Sequence, residues 1–350
     1  MRWVLLLGVV WVLAFAHVAG SAPSSRYVLW STRTARLPAA PARLLPADLP
    51  DDTRRGASAD VLDRTTGGRL AVAALDEVVI ENVDGSARAA VPVAGVYDAR
   101  FSPDGSLLVL ASVDCPSRDY RCENLSVVDS DGGNLHQISS HAGAARWLDD
   151  RTLAFVGDVS AAGVGTLELA DPSGRVARTL GRSFAYPYPA PAPSPNGHLI
   201  VGQCRAQLVC VIGAGSVKRV VARFKGALVE TPLWSPDGRR IALTLAGNGT
   251  STTAVGTIKM ASLVQVSSPA YIGTDDEVLG WSPDSRTILV QRRCAGGLLA
   301  GPTPCRDQVF SELLSTHVRH RLTRDDRRWE AVRWTRTSLS YVTPPGAPAG

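Results

Sequence analysis

The residues of this chain whose types and spacing could do chemistry are its six cysteines, the histidines beyond the first stretch of sequence, and an aspartate that returns in a fixed setting. The cysteines fall into three close pairs, Cys115 with Cys122, Cys204 with Cys210, and Cys294 with Cys305. Thiolates could ligate zinc, but there is no CxxC and no histidine shares any of the three segments. Pairing within each segment is favoured, because each pair would join neighbouring strands of one hairpin, where Cα atoms come within the roughly 5.5 Å that a disulfide needs. His136 and His141 read as lying on an outer strand and the loop after it, His198 follows the PSPNG turn described below, and His317 and His320 sit at i and i+3 in THVRHRLTR. That segment reads as a strand, where an odd separation puts the two rings on opposite faces. No closed ligand set can be named, so neither a metal nor a cofactor is expected. A GxSxG nucleophile elbow is absent, and no catalytic residue is assigned.

The recurring aspartate belongs to a turn. WSPDG (234–238) has close copies at FSPDG (101–105), PSPNG (193–197) and WSPDS (281–285). In this motif Pro103, Pro195, Pro236 and Pro283 fix φ near −65° at the first turn position. Asp104, Asn196, Asp237 and Asp284 can hold the turn backbone with their side chains. Gly105, Gly197 and Gly238 accept positive φ where the chain enters the next strand. The acids are therefore read as structural.

The turn marks a repeat. Phe101, Pro193, Trp234 and Trp281 precede the four copies, Trp147 and Trp334 open two degenerate ones, and Leu62 opens another. Successive markers lie about 40 to 50 residues apart, the period of a solenoid, propeller or array. After each turn comes a branched apolar run such as SLLVLAS or RTILVQR, then a second run ending in Asp-Gly, then a shorter polar one. Four short strands per unit make a propeller blade, so the fold expected is an all-β propeller of four-stranded antiparallel blades. Phe101, Trp147, Trp234, Trp281 and Trp334 are expected to pack between blades, since buried aromatics dominate core energetics.

FSPDG, WSPDG and WSPDS, each followed by an apolar strand and a run ending in Asp-Gly, resemble the TolB-like β-propeller family with its WD40-like repeats. The resemblance spans roughly residues 59–343 and implies a periplasmic propeller working in the cell envelope. The family's namesake also carries an N-terminal α/β domain; here residues 23–58 depart from that pattern and read as an N-terminal strand followed by a Pro/Ala-rich linker. Seven blades are preferred and six are the alternative. Seven inner hairpins precede an end that lacks outer strands, and RYVLWSTRTARL (26–37) has the character to close the ring from the N-terminus.

The N-terminal order of one arginine, an apolar run from Trp3 to Ala16 and small residues up to Ala22 reads as a signal peptide over 1–22. The run is shorter than the roughly 20 residues that span a bilayer, so the chain meets the membrane only through an uncleaved leader. Residues 344–350 read as a disordered tail. A net charge of +5 is too mild to argue for nucleic acid. HVRHRLTRDDRRWEAVRWTR (317–336) and KRVVARFK (218–225) are basic, and are read as solvated outer strands with their loops. Asn124 and Asn248 begin glycosylation sequons that matter only in a host that glycosylates. The function expected is that of an exported, monomeric, non-catalytic scaffold in the periplasm, the cell envelope or the extracellular space, with a protein partner. The alternative is a lactonase-like or sugar-processing enzyme, or a small-ligand binder, with a metal or acid-base site at one mouth of the ring. Mass mapping of the nonreduced, digested protein should recover Cys115–Cys122, Cys204–Cys210 and Cys294–Cys305; links between segments would sink the pairing.

Overall fold

The computed structural model describes residues 31–36, 60–65, 67–73, 76–82, 86–114, 123–160, 163–185, 191–205, 208–213, 218–223, 228–247, 250–257, 264–265, 274–294, 308–322, 330–334 and 338–343. Among them every regular element is a β-strand. The units read from the turn repeat appear as consecutive sheets. The first comprises β2 (Asp60–Arg64), β3 (Arg69–Ala73), β4 (Val78–Asn82) and β5 (Ala89–Val91). The second comprises β6 (Val96–Phe101), β7 (Leu107–Val113), β8 (Glu123–Asp129) and β9 (His136–Ser140). The third is β10 (Gly143–Asp149), β11 (Thr152–Gly157), β12 (Val164–Ala170) and β13 (Val176–Ala185). The fourth is β14 (Ala192–Pro193), β15 (Leu199–Arg205), β16 (Leu208–Gly213) and β17 (Lys218–Arg223). Within each sheet the strands are antiparallel and in chain order. β14 is only two residues long in a run that holds Pro191, Pro193 and Pro195, which have no N–H to give a ladder.

The next two units are joined. β18 (Leu228–Trp234), β19 (Arg240–Gly247), β20 (Thr250–Thr257) and the two-residue β21 (Val264–Gln265) form one set. β22 (Thr274–Trp281), β23 (Thr287–Cys294), β24 (Gln308–Leu313) and β25 (Val318–Arg321) form the other. A single parallel bridge, Ser251 to Asp275, links them. Among the described residues, β26 (Glu330–Trp334) and β27 (Ser338–Thr343) make a three-stranded sheet with β1 (Ser31–Arg36). β1 runs antiparallel to β27 in unbroken register from Ser31 opposite Thr343 to Arg36 opposite Ser338. The first strands of successive sets touch in order, β2 with β6 and so on to β22 with β26, and β26 touches β2.

Successive sheets bury their faces on each other, which is why the strand after each turn carries a run of apolar residues at or near its start. In β7, Leu108 and Leu110 pack on the first sheet with Ile80 and Phe101, while Val109 and Ala111 pack on the third with Trp147 and Phe155. β19 repeats the division, with Ile241 and Leu243 toward Val201 and Trp234 on one side and Ala242 toward Val278 and Trp281 on the other. Each such side chain removed from water contributes about 1.5 to 3 kcal/mol, a sum offset by the entropy of ordering the chain.

Leaving out residues 26–37 gives β27 an unpaired edge. Such a chain should aggregate or melt well below the intact mature chain, whereas shortening 38–58 should cost no more than about 0.5 kcal/mol, as for a surface change. Equal melting of both deletions and the parent would remove β1 from the closure of the fold.

Candidate functional site

All four copies of the turn have the same internal geometry. In the second sheet the Gly105 N–H donates to Ser102 O at 2.8 Å, and the Ser102 hydroxyl donates to Asp104 Oδ1 at 2.5 Å while accepting the Leu107 N–H at 3.0 Å. Ser194 with Asn196, Ser235 with Asp237, and Ser282 with Asp284 repeat the hydroxyl bond at 2.6–2.7 Å. The carboxylates also accept backbone N–H groups, as Asp237 does from Arg239 and Asp284 from Arg286. The Ser102 hydroxyl and the Ser106 N–H hold the Asp104 carboxyl below the usual carboxylate range. Gly105, Gly197 and Gly238 have φ of 75°, 67° and 67°. Ser285 adopts φ 60° without glycine's freedom, and its hydroxyl and carbonyl have a use there. Its Oγ accepts the Asp237 N–H at 3.1 Å and its carbonyl accepts Arg240 Nη1 at 2.8 Å, both from the preceding set. Asp150 does the same for the second sheet, accepting the Asp104 N–H at 2.8 Å.

Phe101, Trp147, Trp234 and Trp281 are buried between sheets, and Trp334 is half-buried against Leu289, Val309 and Leu339. The tryptophans do more than fill space. Trp147 Nε1 donates to Arg100 O at 2.8 Å, Trp234 to Ala192 O at 2.8 Å, and Trp281 to Leu233 O at 3.1 Å. Each acceptor is the residue just before the corresponding marker of the preceding repeat. Cys204 and Cys210 form a disulfide across β15 and β16 with Cα atoms 5.7 Å apart. Cys115, Cys122 and Cys305 lie outside the described residues, and Cys294 ends β23.

Two charge clusters were not singled out from sequence. On the inner strands β2, β6 and β10, Asp98 accepts Arg146 Nη1 at 2.5 Å and pairs with Arg100 Nη2 at 3.0 Å. Asp63 accepts the Phe101 N–H at 2.8 Å, and Arg100 also donates to Leu62 O. Burial opposes the Asp98 carboxylate, but the Arg100 and Arg146 guanidiniums outweigh it and hold its pKa low. The second cluster spans β22 to β25. Asp276 and Glu312 are 0% exposed; Asp276 takes a two-pronged contact from Arg292 at 2.7 and 3.0 Å, and Glu312 takes Arg319 Nε at 2.7 Å. Both guanidiniums lie on the Phe310 ring, at 5.7 and 5.9 Å from its centre. Arg319 is thus drawn inward by buried acids, although the basic run around it reads as a solvated strand. The only sequence signal was the cross-strand alternation of acid and arginine, which needs the register to be known first.

The histidines are dispersed. His136 places both ring nitrogens on carbonyls, Asn134 O at 2.7 Å and Pro172 O at 2.9 Å, which raises its pKa. His317 is in the turn before β25 with φ 55°, because its N–H closes on Leu313 O at 2.8 Å, so it does not share a strand with His320. Glu123 is pushed up to about 7 by burial, against the opposing pull of the Tyr97 hydroxyl that donates to it. Among the described residues no three His, Cys, Asp or Glu side chains gather to hold a metal ion.

No protein-family model matches the chain, and no curated protein matches it. Among solved structures, a putative TolB from Agrobacterium tumefaciens aligns at 12% identity and a TM-score of 0.52, covering 91% of this chain and 99% of that one. The fold is a TolB-like β-propeller. A TolB from Acinetobacter baumannii aligns at 13% identity and a TM-score of 0.44, covering 81% of this chain and 78% of that one.

The turn serine, which the sequence reading passed over in favour of its neighbours, supplies the buried part of this repeated TolB-like corner. Ser235→Ala strands the Arg240 N–H at a site with no water access and should cost about 1 to 3 kcal/mol in chemical denaturation. Asp237→Ala, at an exposed position, should cost less than about 1 kcal/mol because water replaces the carboxylate. The reverse order would locate the corner's strength in the acid.

Proposed function

We propose that this chain is an exported, monomeric, non-catalytic binding scaffold of the cell envelope, a seven-bladed ring closed by β1 that presents its loops to a protein partner. The observation that carries the reading is how the polar side chains of the inner strands and turns are spent. Asp98, Arg100 and Arg146 bind one another across two sheets, the tryptophan N–H groups are given to neighbouring backbones, and the turn acids hold their own loops. Groups so committed stiffen the ring, and a general acid or nucleophile needs freedom to face substrate. The described ends of the second and third strands, Val113 beside Glu123 and Arg292 beside Gln308, lie opposite the SPDG turns, and that end is taken as the recognition face. The disulfide at Cys204–Cys210 suits an oxidising compartment, and the leader-like sequence suits export.

Cross-linking in the native envelope fraction, followed by mass spectrometry, tests this. One reproducible protein partner should appear, with links concentrated on the loops opposite the SPDG turns. A stoichiometric calcium or zinc ion in the purified protein, with turnover of a lactone or sugar substrate, would overturn it in favour of an enzyme.

A further inference from the structure

The seam between the β18–β21 set and the β22–β25 set differs from the others. An apolar core of Ala242, Val278, Trp281 and Ile288 fills its middle, and a cavity of about 600 Å³ opens at the end nearest the SPDG turns. Its apolar side is Val255, Leu313 and Leu314, and its polar side is Arg240, Arg286 and His317. The volume lies within the roughly 300 to 1,000 Å³ of small-molecule sites, which are mostly apolar with a few placed polar groups.

Arg286 and Arg240 bring guanidinium groups to the cavity, with the His317 ring beside them. Arg240 spends one guanidinium N–H on Ser285 O at 2.8 Å. Arg286 follows the turn directly, its carbonyl accepts the Leu314 N–H at 3.0 Å, and among the described residues its exposed guanidinium meets no carboxylate. His317 turns Nδ1 toward Glu312 Oε1 at 3.3 Å. Glu312 is fully buried and bound by Arg319, and Asp237 holds Ser235 and the Arg239 N–H while also feeling the charge of Arg240, so the guanidinium most open to a ligand is that of Arg286. What remains is a cationic rim over an aliphatic wall, with Leu313 more than a third exposed. An anion alone would leave the wall wet, and a neutral apolar molecule would strip water from Arg286 without replacing it.

We propose that this groove binds a small amphipathic anion, a carboxylate carrying an aliphatic body, with the head on Arg286 and Arg240 and the body along Val255, Leu313 and Leu314. The site is separate from the partner-binding face and would operate whether or not that face binds a protein.

Titration calorimetry of the intact mature protein with decanoate, kept below its micelle concentration, tests the proposal; acetate and 1-decanol serve as head-only and body-only controls. Decanoate should bind saturably at one site, with each control at least about tenfold weaker. Arg286→Ala and Leu313→Asp change exposed side chains and should melt as the parent does, yet each should weaken decanoate by about tenfold or more, the size of one charge-assisted contact. No saturable decanoate binding would overturn the proposal. So would decanoate binding unchanged in both variants, or 1-decanol or acetate binding as tightly as decanoate.

Discussion

Everything in this structure depends on sheets that must bury both of their faces. A strand with one wet face alternates apolar and polar residues, but a strand between two sheets is apolar on both sides. β11 shows the consequence: Leu153 and Phe155 belong to the core shared with the preceding sheet, and Ala154 and Val156 to the one shared with the following sheet. The two faces differ in bulk, with the larger side chains directed backward onto the preceding sheet. The same asymmetry recurs in β19, where Ile241, Leu243 and Leu245 face backward and Ala242 forward. A chain built this way has no single core. It has a succession of them, and each sheet is stable only while both neighbours are present.

Apolar faces hold sheets together without fixing how far one slides over the next, because hydrophobic contact is non-directional. The directional bonds at the inner strands supply that register. An indole N–H from one repeat finds a carbonyl one place before the matching residue of the repeat before it, and a turn amide finds an oxygen on the turn of the repeat after it. These bonds lie at sheet ends that packing alone would leave loose. A tryptophan is thus worth more here than a phenylalanine of similar area, since a buried N–H without an acceptor would itself be costly. Phe101 lacks the donor, and its backbone N–H instead takes Asp63.

The fold was legible because its period is written in residues that have few alternatives. Proline, aspartate and glycine in a fixed order dictate one corner, and the apolar run that follows dictates a doubly buried strand. Legibility fell where a residue's role depends on a partner from another repeat. Ser285 reads as a defect in the motif, yet its hydroxyl is the acceptor that the Asp237 amide needs. The serines of all four corners stood in plain view, but a hydroxyl looks like ordinary turn chemistry until its burial is known. Arg319 read as solvated because its buried acceptors are set by register: Glu312 stands opposite it across the hairpin, and Asp276 comes from a strand 43 residues away. Periodicity reports the environment of a backbone position, and pairwise electrostatics needs the register first.

The β22–β25 set shows how a repeat architecture makes room for something particular. Two buried acids and two arginines balance in charge and clasp one aromatic ring. Burying such groups costs desolvation that their attraction roughly returns, so the cluster adds little to stability over an apolar face of the same volume. It does add direction, because each carboxylate oxygen accepts only from certain angles and so fixes β24 and β25 against β22 and β23. The same hairpin turns His317 and Leu314 toward the preceding set, where they line the cavity with Val255 and Arg240. A cluster that fixes its hairpin by direction as well as by bulk can border a cavity without loosening the packing of the sheet behind it.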